Sequence, residues 1–161
     1  MTRHDCARGT RGRLMTATGA AVLAVTLAVV TVTDLRRRII PNRVVLTAGS
    51  AGLILAFSEG PASLGVAVFC AALVAGPMLA VALVRPEGMG MGDVKLAALI
   101  GLFMGWQAWP ALLAGLALGA MAGVLISLGT RTRPSQIALP LAPFLAAGAI
   151  PVLLATLKPL Q

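Results

Sequence analysis

Long apolar runs alternate with short polar connectors along this chain. The runs cover residues 14–33, 44–57, 64–84, 96–108, 110–128 and 137–157. None shows the in–out alternation of a half-buried strand or of a membrane barrel strand. Inside a bilayer such runs must satisfy their own backbone hydrogen bonds, and a helix does this within one segment. Six spans of roughly 20 residues need about 120 residues, which a chain of 161 residues holds. The pattern predicts an all-α membrane protein, a polytopic bundle of about six transmembrane helices. It forms a single transmembrane domain over 14–161, preceded by a basic tail at 1–13.

The tail followed by the first run resembles a secretory signal. The run is long for a signal core, however, and no convincing small-x-small site precedes Asp34. It reads as a retained first span. Gly115, Gly119 and Gly123 are spaced four apart, as small residues are where helices pack closely in lipid.

Composition agrees with this picture. Apolar residues make up 58% and charged residues 11%, with a mean hydropathy of +0.94. A soluble domain is nearer half apolar and a quarter charged. Disorder is excluded, and an ordinary soluble domain is disfavoured. The net charge of +8 would suit a nucleic-acid binder, but the basic residues sit in short clusters between the apolar runs. That is the distribution of juxtamembrane charges, so the expected surroundings are the lipid bilayer and no nucleic acid. Cys6 and Cys70 are the two cysteines, too few for a disulfide framework or a Cys-rich zinc site.

Charge also predicts orientation. One connector carries Arg36, Arg37, Arg38 and Arg43, a second Arg85 and Lys95, and a third Arg131 and Arg133. The two opposite connectors carry no basic residue. The basic connectors are therefore expected on the cytoplasmic side of the membrane. Trp106 and Trp109 mark the far end of the fourth span, where interfacial aromatics prefer to lie. Six spans place both termini outside, and the Arg-rich tail disagrees with that. Translation from Met15, dominance of the later connectors, or a span count off by one would each resolve the conflict; the first is preferred.

Only five acidic residues occur: Asp5, Asp34, Glu59, Glu87 and Asp93. Asp34 ends the first run, and Asp93 opens the fourth. Both fall at the inner side, beside runs that look short for a span. Taken alone, each reads most simply as a boundary residue. Asp34 would end a helix and pair with Arg36 to Arg38, and Asp93 would cap the fourth helix. Their settings change the weighing. Gly90 and Gly92 precede Asp93 and permit unusual backbone angles or the close approach of another chain. Pro41 holds Ile40 extended and suits a helix start, where Asn42 is placed to cap. An aspartate near lipid tends to face a polar interior and to be functional.

The only histidine, His4, lies in the tail, so a Ser–His or Cys–His dyad and a histidine metal site are both unsupported. No cofactor is expected. Two carboxyls brought together resist joint ionisation and can share one proton. The ionised one can then take a proton from water, while the protonated one polarises a peptide carbonyl. The pair would titrate as a unit, which leaves open which aspartate is the base.

With these residues in view, the chain resembles the prepilin peptidases, intramembrane aspartyl proteases of the GxGD type. The matching pieces are Asp34 followed by Ile40-Pro41-Asn42, then Gly90-x-Gly92-Asp93-x-Lys95, and more weakly Pro143-Phe144-Leu145-Ala146. The resemblance spans about 15–157. It implies cleavage of basic leaders from type IV prepilins or pseudopilins at the cytoplasmic membrane face. It also implies Asp34 and Asp93 as the catalytic pair. Gly90, Gly92, Lys95, Pro41 and Asn42 carry over as motif residues around the substrate's approach. Larger members of the family have an N-terminal part with paired cysteines and also methylate the new pilin N-terminus. This chain resembles the short form associated with tight-adherence (Flp-type) pili, expected to act as a protease only. Leu141-Ala142 stand where the family often has an aromatic residue and glycine, a departure that bears on close packing there more than on catalysis.

Two other readings remain. One is a different GxGD protease, of the preflagellin or signal-peptide-peptidase kind; the basic connectors and the Ile-Pro-Asn turn favour the prepilin group. The other is a small non-enzymatic carrier or assembly subunit whose aspartates relay protons or bind cations. The sequence specifies neither the pilin nor the oligomeric state.

Overall fold

A computed structural model describes residues 17–37, 40–84, 90–130 and 141–157. The chain forms α1 (Ala17–Arg37), α2 (Asn42–Ser58), α3 (Pro61–Val84), α4 (Met91–Met104), α5 (Ala108–Thr130) and α6 (Ala142–Leu157). A 3-10 turn, Gly105–Gln107, joins α4 to α5. The fold is an all-α membrane bundle, with no strand among the described residues.

The six helices follow the six apolar runs, but their lengths differ. Three segments are long and apolar enough to cross a membrane: Ala17–Arg37, Pro61–Val84, and the 39-residue stretch Met91–Gly129 that takes in α4 and all but the last residue of α5. Asn42–Ser58 and Ala142–Ala155 are shorter apolar helices. At 1.5 Å per residue, α2, α4 and α6, with 17, 14 and 16 residues, reach only about 21–26 Å, less than the roughly 30 Å of a hydrocarbon core.

Several boundaries move from their expected places. The helix of the first run continues through Asp34 to Arg37, so Asp34 lies inside α1 rather than ending it. The fourth helix begins at Met91, inside the Gly-rich connector. The last begins at Ala142, later than the apolar run starting at 137 implies. The basic tail at 1–13, Arg38, Arg85, Glu87, Arg131 and Arg133 lie outside the described residues.

Helix α4 is the hub and touches each of the other five helices. Its Leu96, Ala97 and Ile100 are fully enclosed. Lipid tails are as apolar as leucine, so helices here associate by close packing rather than by escape from water. Glycines make that packing possible. A Cβ on Gly101 would stand 2.8 Å from Ala71 Cα and from the Cys70 carbonyl oxygen, so α3 and α4 meet backbone to backbone. On α5, a Cβ at Gly115 would stand 2.8 Å from the Phe144 carbonyl oxygen of α6. A Cβ at Gly148 would in turn collide with Ala111 and Gly115. Gly115 and Gly119 thus serve helix packing, as their spacing predicts. Close packing at α5–α6 coexists with Leu141-Ala142, since Ala142 itself is completely buried.

Large apolar side chains such as Leu46, Ile54, Phe57 and Leu125 remain exposed. So many exposed apolar residues fit a lipid-facing surface and not a soluble monomer. At the far end of the bundle, Phe69 and Trp106 form a tilted ring pair with centroids 6.1 Å apart. There Gly60 and Gly105 adopt positive φ, 119° and 56°, and turn the chain between α2 and α3 and between α4 and α5.

Candidate active site

The buried stripe of α1 runs Ala20, Leu23, Leu27, Val30 and Asp34. Its three- and four-residue steps keep one face turned to the core. That face ends in a carboxylate, and Asp34 is only 7% exposed. A carboxylate so buried needs a donor. The backbone N–H of Ala142, first residue of α6, donates to Asp34 Oδ2 at 3.3 Å. The first N–H groups of a helix have no partner within it, and their end of the helix dipole is positive. Asp34 therefore takes up an orphan donor of α6. Arg36 and Arg37, expected as its partners, lie exposed in the last turn of α1.

Asp93 is not the cap of α4. Gly90 is the N-cap, in an extended conformation (φ −74°, ψ 143°), and Asp93 is the third helical residue, half-buried. Its N–H donates to the Gly90 carbonyl at 3.1 Å. Its carboxylate interacts in return with the Gly90 backbone N–H, as an acidic residue at this position does in a capping box. The Asp93 and Asp34 carboxylates lie within electrostatic reach of each other. No third His, Cys, Asp or Glu joins them into a metal-binding cluster among the described residues.

The glycines before Asp93 use no unusual backbone angle. Gly92 is helical and meets Ile40: a Cβ there would stand 2.8 Å from Ile40 Cδ1 and 3.0 Å from Ile40 Cβ. Gly90 is exposed, and a Cβ on it would rest 3.5 Å from Asp93 Oδ2. Its bare backbone leaves that oxygen approachable.

The Ile40-Pro41-Asn42 segment docks on the same helix start. Pro41 is the N-cap of α2, extended at φ −67° and ψ 116°, and its carbonyl accepts from Val44 N–H at 3.1 Å and Val45 N–H at 3.3 Å. Asn42 makes no side-chain cap, contrary to expectation. As the first helical residue it faces sideways, and Lys95 Nζ donates to its Oδ1 at 2.7 Å. The two sequence motifs are joined at two points, Ile40 on Gly92 and Lys95 on Asn42. The starts of α2, α4 and α6 gather around the end of α1, so three positive helix ends neighbour two carboxylates.

Two features of this site were not foreseen from sequence. The donor to Asp34 is a backbone group, invisible to residue-type reasoning. Thr31, one turn before Asp34 on α1, has a hydroxyl oxygen that is shut off from solvent and without a partner. Leaving such a hydroxyl unpaired costs about 1–3 kcal/mol.

Comparison with known proteins agrees with the resemblance seen in the motifs. The family model described as "Type IV leader peptidase family" matches residues 21–157. A "Prepilin leader peptidase/N-methyltransferase" of Pectobacterium carotovorum subsp. carotovorum is 33% identical over 139 residues, covering 82% of this chain and 49% of that protein. One of the same name from Aeromonas hydrophila is 35% identical over 137 residues, covering 79% and 46%. Another, from Pseudomonas putida, is 49% identical over 69 residues, covering 42% and 24%. The chain thus spans about half, or less, of the length of these curated relatives. No solved structure matches. With a family match running from α1 to the end of α6, the chain belongs to the type IV leader peptidase family.

Proposed function

We propose that the chain is an intramembrane aspartic endopeptidase that removes leader peptides from prepilins or pseudopilins, with Asp34 and Asp93 activating water. The observation that carries this reading is that two acidic side chains, from motifs far apart in sequence, lie within electrostatic reach of each other at one cluster of helix starts. The relatives' names point to prepilins as the substrate class.

In this mechanism one proton is shared by the pair. The ionised carboxylate takes a proton from water as the oxygen attacks the scissile carbonyl carbon. The protonated carboxylate donates to the carbonyl oxygen, giving a tetrahedral diol. Collapse of the diol breaks the C–N bond: one diol hydroxyl gives its proton to the ionised carboxylate as the carbonyl re-forms, and the other carboxyl passes its proton to the leaving amine. Water is consumed, and the pair returns to its single shared proton. A protease binds its substrate extended, and the bare backbone at Gly90 gives a strand-like segment access to Asp93. Gly92, Pro41, Asn42 and Lys95 hold the two motifs in register around that approach.

The exposed Arg36, Arg37, Arg43 and Lys95 lie at the same end of the bundle as the aspartates, which supports a site toward the cytoplasm of a bacterial plasma membrane.

The test is leader cleavage of a co-expressed pilin from the same genome, read as a gel shift at matched membrane levels. Wild type is expected to cleave, and Asp34→Asn and Asp93→Asn to leave the precursor intact. Cleavage at the wild-type rate by either variant would refute the two-aspartate mechanism.

A further inference from the structure

Thr31 differs from the other threonines near it. On α1, Thr26 Oγ1 donates to the Val22 carbonyl at 2.7 Å, and Thr33 Oγ1 donates to those of Val29 and Val30 at 3.0 and 2.9 Å. Thr47 does the same on α2. Each satisfies its hydroxyl on its own helix, the usual arrangement where water is scarce. Thr31 does not, although its hydroxyl oxygen is buried. An apolar setting makes such an orphan donor unfavourable, so a partner in another state of the protein is the economical explanation.

Helix geometry limits which partner. Residues three apart on a helix have Cβ atoms about 5–6 Å from each other. Side chains lean toward the helix N-terminus, so the carboxylate of Asp34 leans over the turn that carries Thr31. Ala142 N–H already donates to Oδ2 from the side of α6. A single donor leaves the carboxylate plane free to rotate about it; a second donor from α1 would fix that plane.

We propose that Thr31 is a positioning residue for Asp34: its hydroxyl donates to the Asp34 carboxylate when substrate occupies the site. The inference rests on the two-aspartate reading. Rotation of one side chain converts the resting arrangement into the working one. The hydroxyl touches neither substrate nor water; it holds the carboxylate in the orientation from which it meets both.

The test uses the full chain purified in detergent, with a prepilin from the same genome as substrate. Thr31→Val keeps the shape and removes the hydroxyl; Thr31→Ser keeps the hydroxyl. Thr31→Val is expected to lower kcat roughly 10- to 100-fold, the effect of a hydrogen bond to a charged group that sets reactive geometry. KM should stay unchanged, and the melting temperature should equal or exceed that of wild type, because no resting bond is lost. Thr31→Ser should retain most of kcat. Three results would overturn the inference: wild-type kcat in Thr31→Val, an equal loss in Thr31→Ser, or a lower melting temperature in Thr31→Val, which marks a structural bond already made at rest. Asp34→Asn separates the two claims. Loss of cleavage there with full activity in Thr31→Val refutes the role of Thr31 alone, whereas full activity in Asp34→Asn removes both.

Discussion

The side chain of Ile40 fills the space where a Cβ of Gly92 would stand, with Ile40 Cβ itself only 3.0 Å from that point. Gly92 is therefore required by a neighbour and not by its own dihedral angles. The residue before Pro41 and the residue before Asp93 set the spacing between the two motifs.

Gly92→Ala should accordingly push the start of α4 away from the 40–42 segment. Overpacking of this kind costs about 1–3 kcal/mol. The protein should still insert, with leader cleavage reduced at least tenfold. Alanine at position 40 removes the Cδ1 and Cγ1 atoms of Ile40 and keeps the Cβ. Ile40→Ala on the Gly92→Ala background should therefore restore activity in part, and a double-mutant cycle would show coupling between the sites. Additive losses would mean that Gly92 acts in some other way.

The Lys95–Asn42 bond is exposed, and its expected contribution is smaller. Lys95→Met and Asn42→Ala should each lower stability by about 1 kcal/mol or less. The two changes together should cost no more than either alone, as checked by thermal melts of the single and double variants. A cost for the pair equal to the sum of the singles would mean the 2.7 Å contact does not hold the motifs together.

The bundle and its six helices are legible in the hydropathy pattern, because in lipid each span must close its own hydrogen bonds. The acidic pair is legible for the same reason: Asp34 and Asp93 interrupt or border apolar runs where charge is costly. Depth and partners are not legible. Asp34 falls inside α1 because the helix continues through Leu35 to Arg37, a polar stretch that hydropathy assigns to the connector. Asn42 carries the residue type of a cap, yet Pro41 already occupies the cap position and Lys95 claims the side chain. The donor to Asp34 is a main-chain group, and any residue type at 142 except proline supplies one. What the residue at 142 must do is fit, and Ala142 fits with no exposed surface.

Helix α6 places that donor, so its packing on α5 should be felt at the site. A Cβ on Gly148 would collide with backbone atoms of Ala111 and Gly115, which cannot yield as a flexible side chain can. Gly148→Ala should separate α5 from α6, lower the melting temperature and reduce cleavage together. Gly49→Ala is the control, since its Cβ would meet only Leu99 Cδ1 at 3.9 Å, an ordinary contact. That variant should melt at or above the wild-type temperature, because alanine favours a helix interior over glycine. Equal melting of Gly148→Ala and wild type would show that α5 and α6 are less tightly apposed than their glycines indicate.

Asp34 serves the fold and the proposed chemistry through different atoms, and two substitutions should separate them. Asparagine keeps an oxygen for the Ala142 N–H and loses the charge; alanine keeps neither. Asp34→Asn also removes the cost of confining two carboxyls that resist joint ionisation, and active-site groups of this kind commonly cost stability. It should therefore melt at or above the wild-type temperature while cleaving nothing. Asp34→Ala should cleave nothing either, but should melt below Asp34→Asn, because an unpaired buried N–H costs about 1–3 kcal/mol. Asp93→Asn should match Asp34→Asn in both respects, since it relieves the same cost from the other side. Equal melting of Asp34→Ala and Asp34→Asn would mean that the bond from Ala142 contributes nothing to the fold, and the helix start at α6 would then owe its position to Gly115 and Gly148 alone.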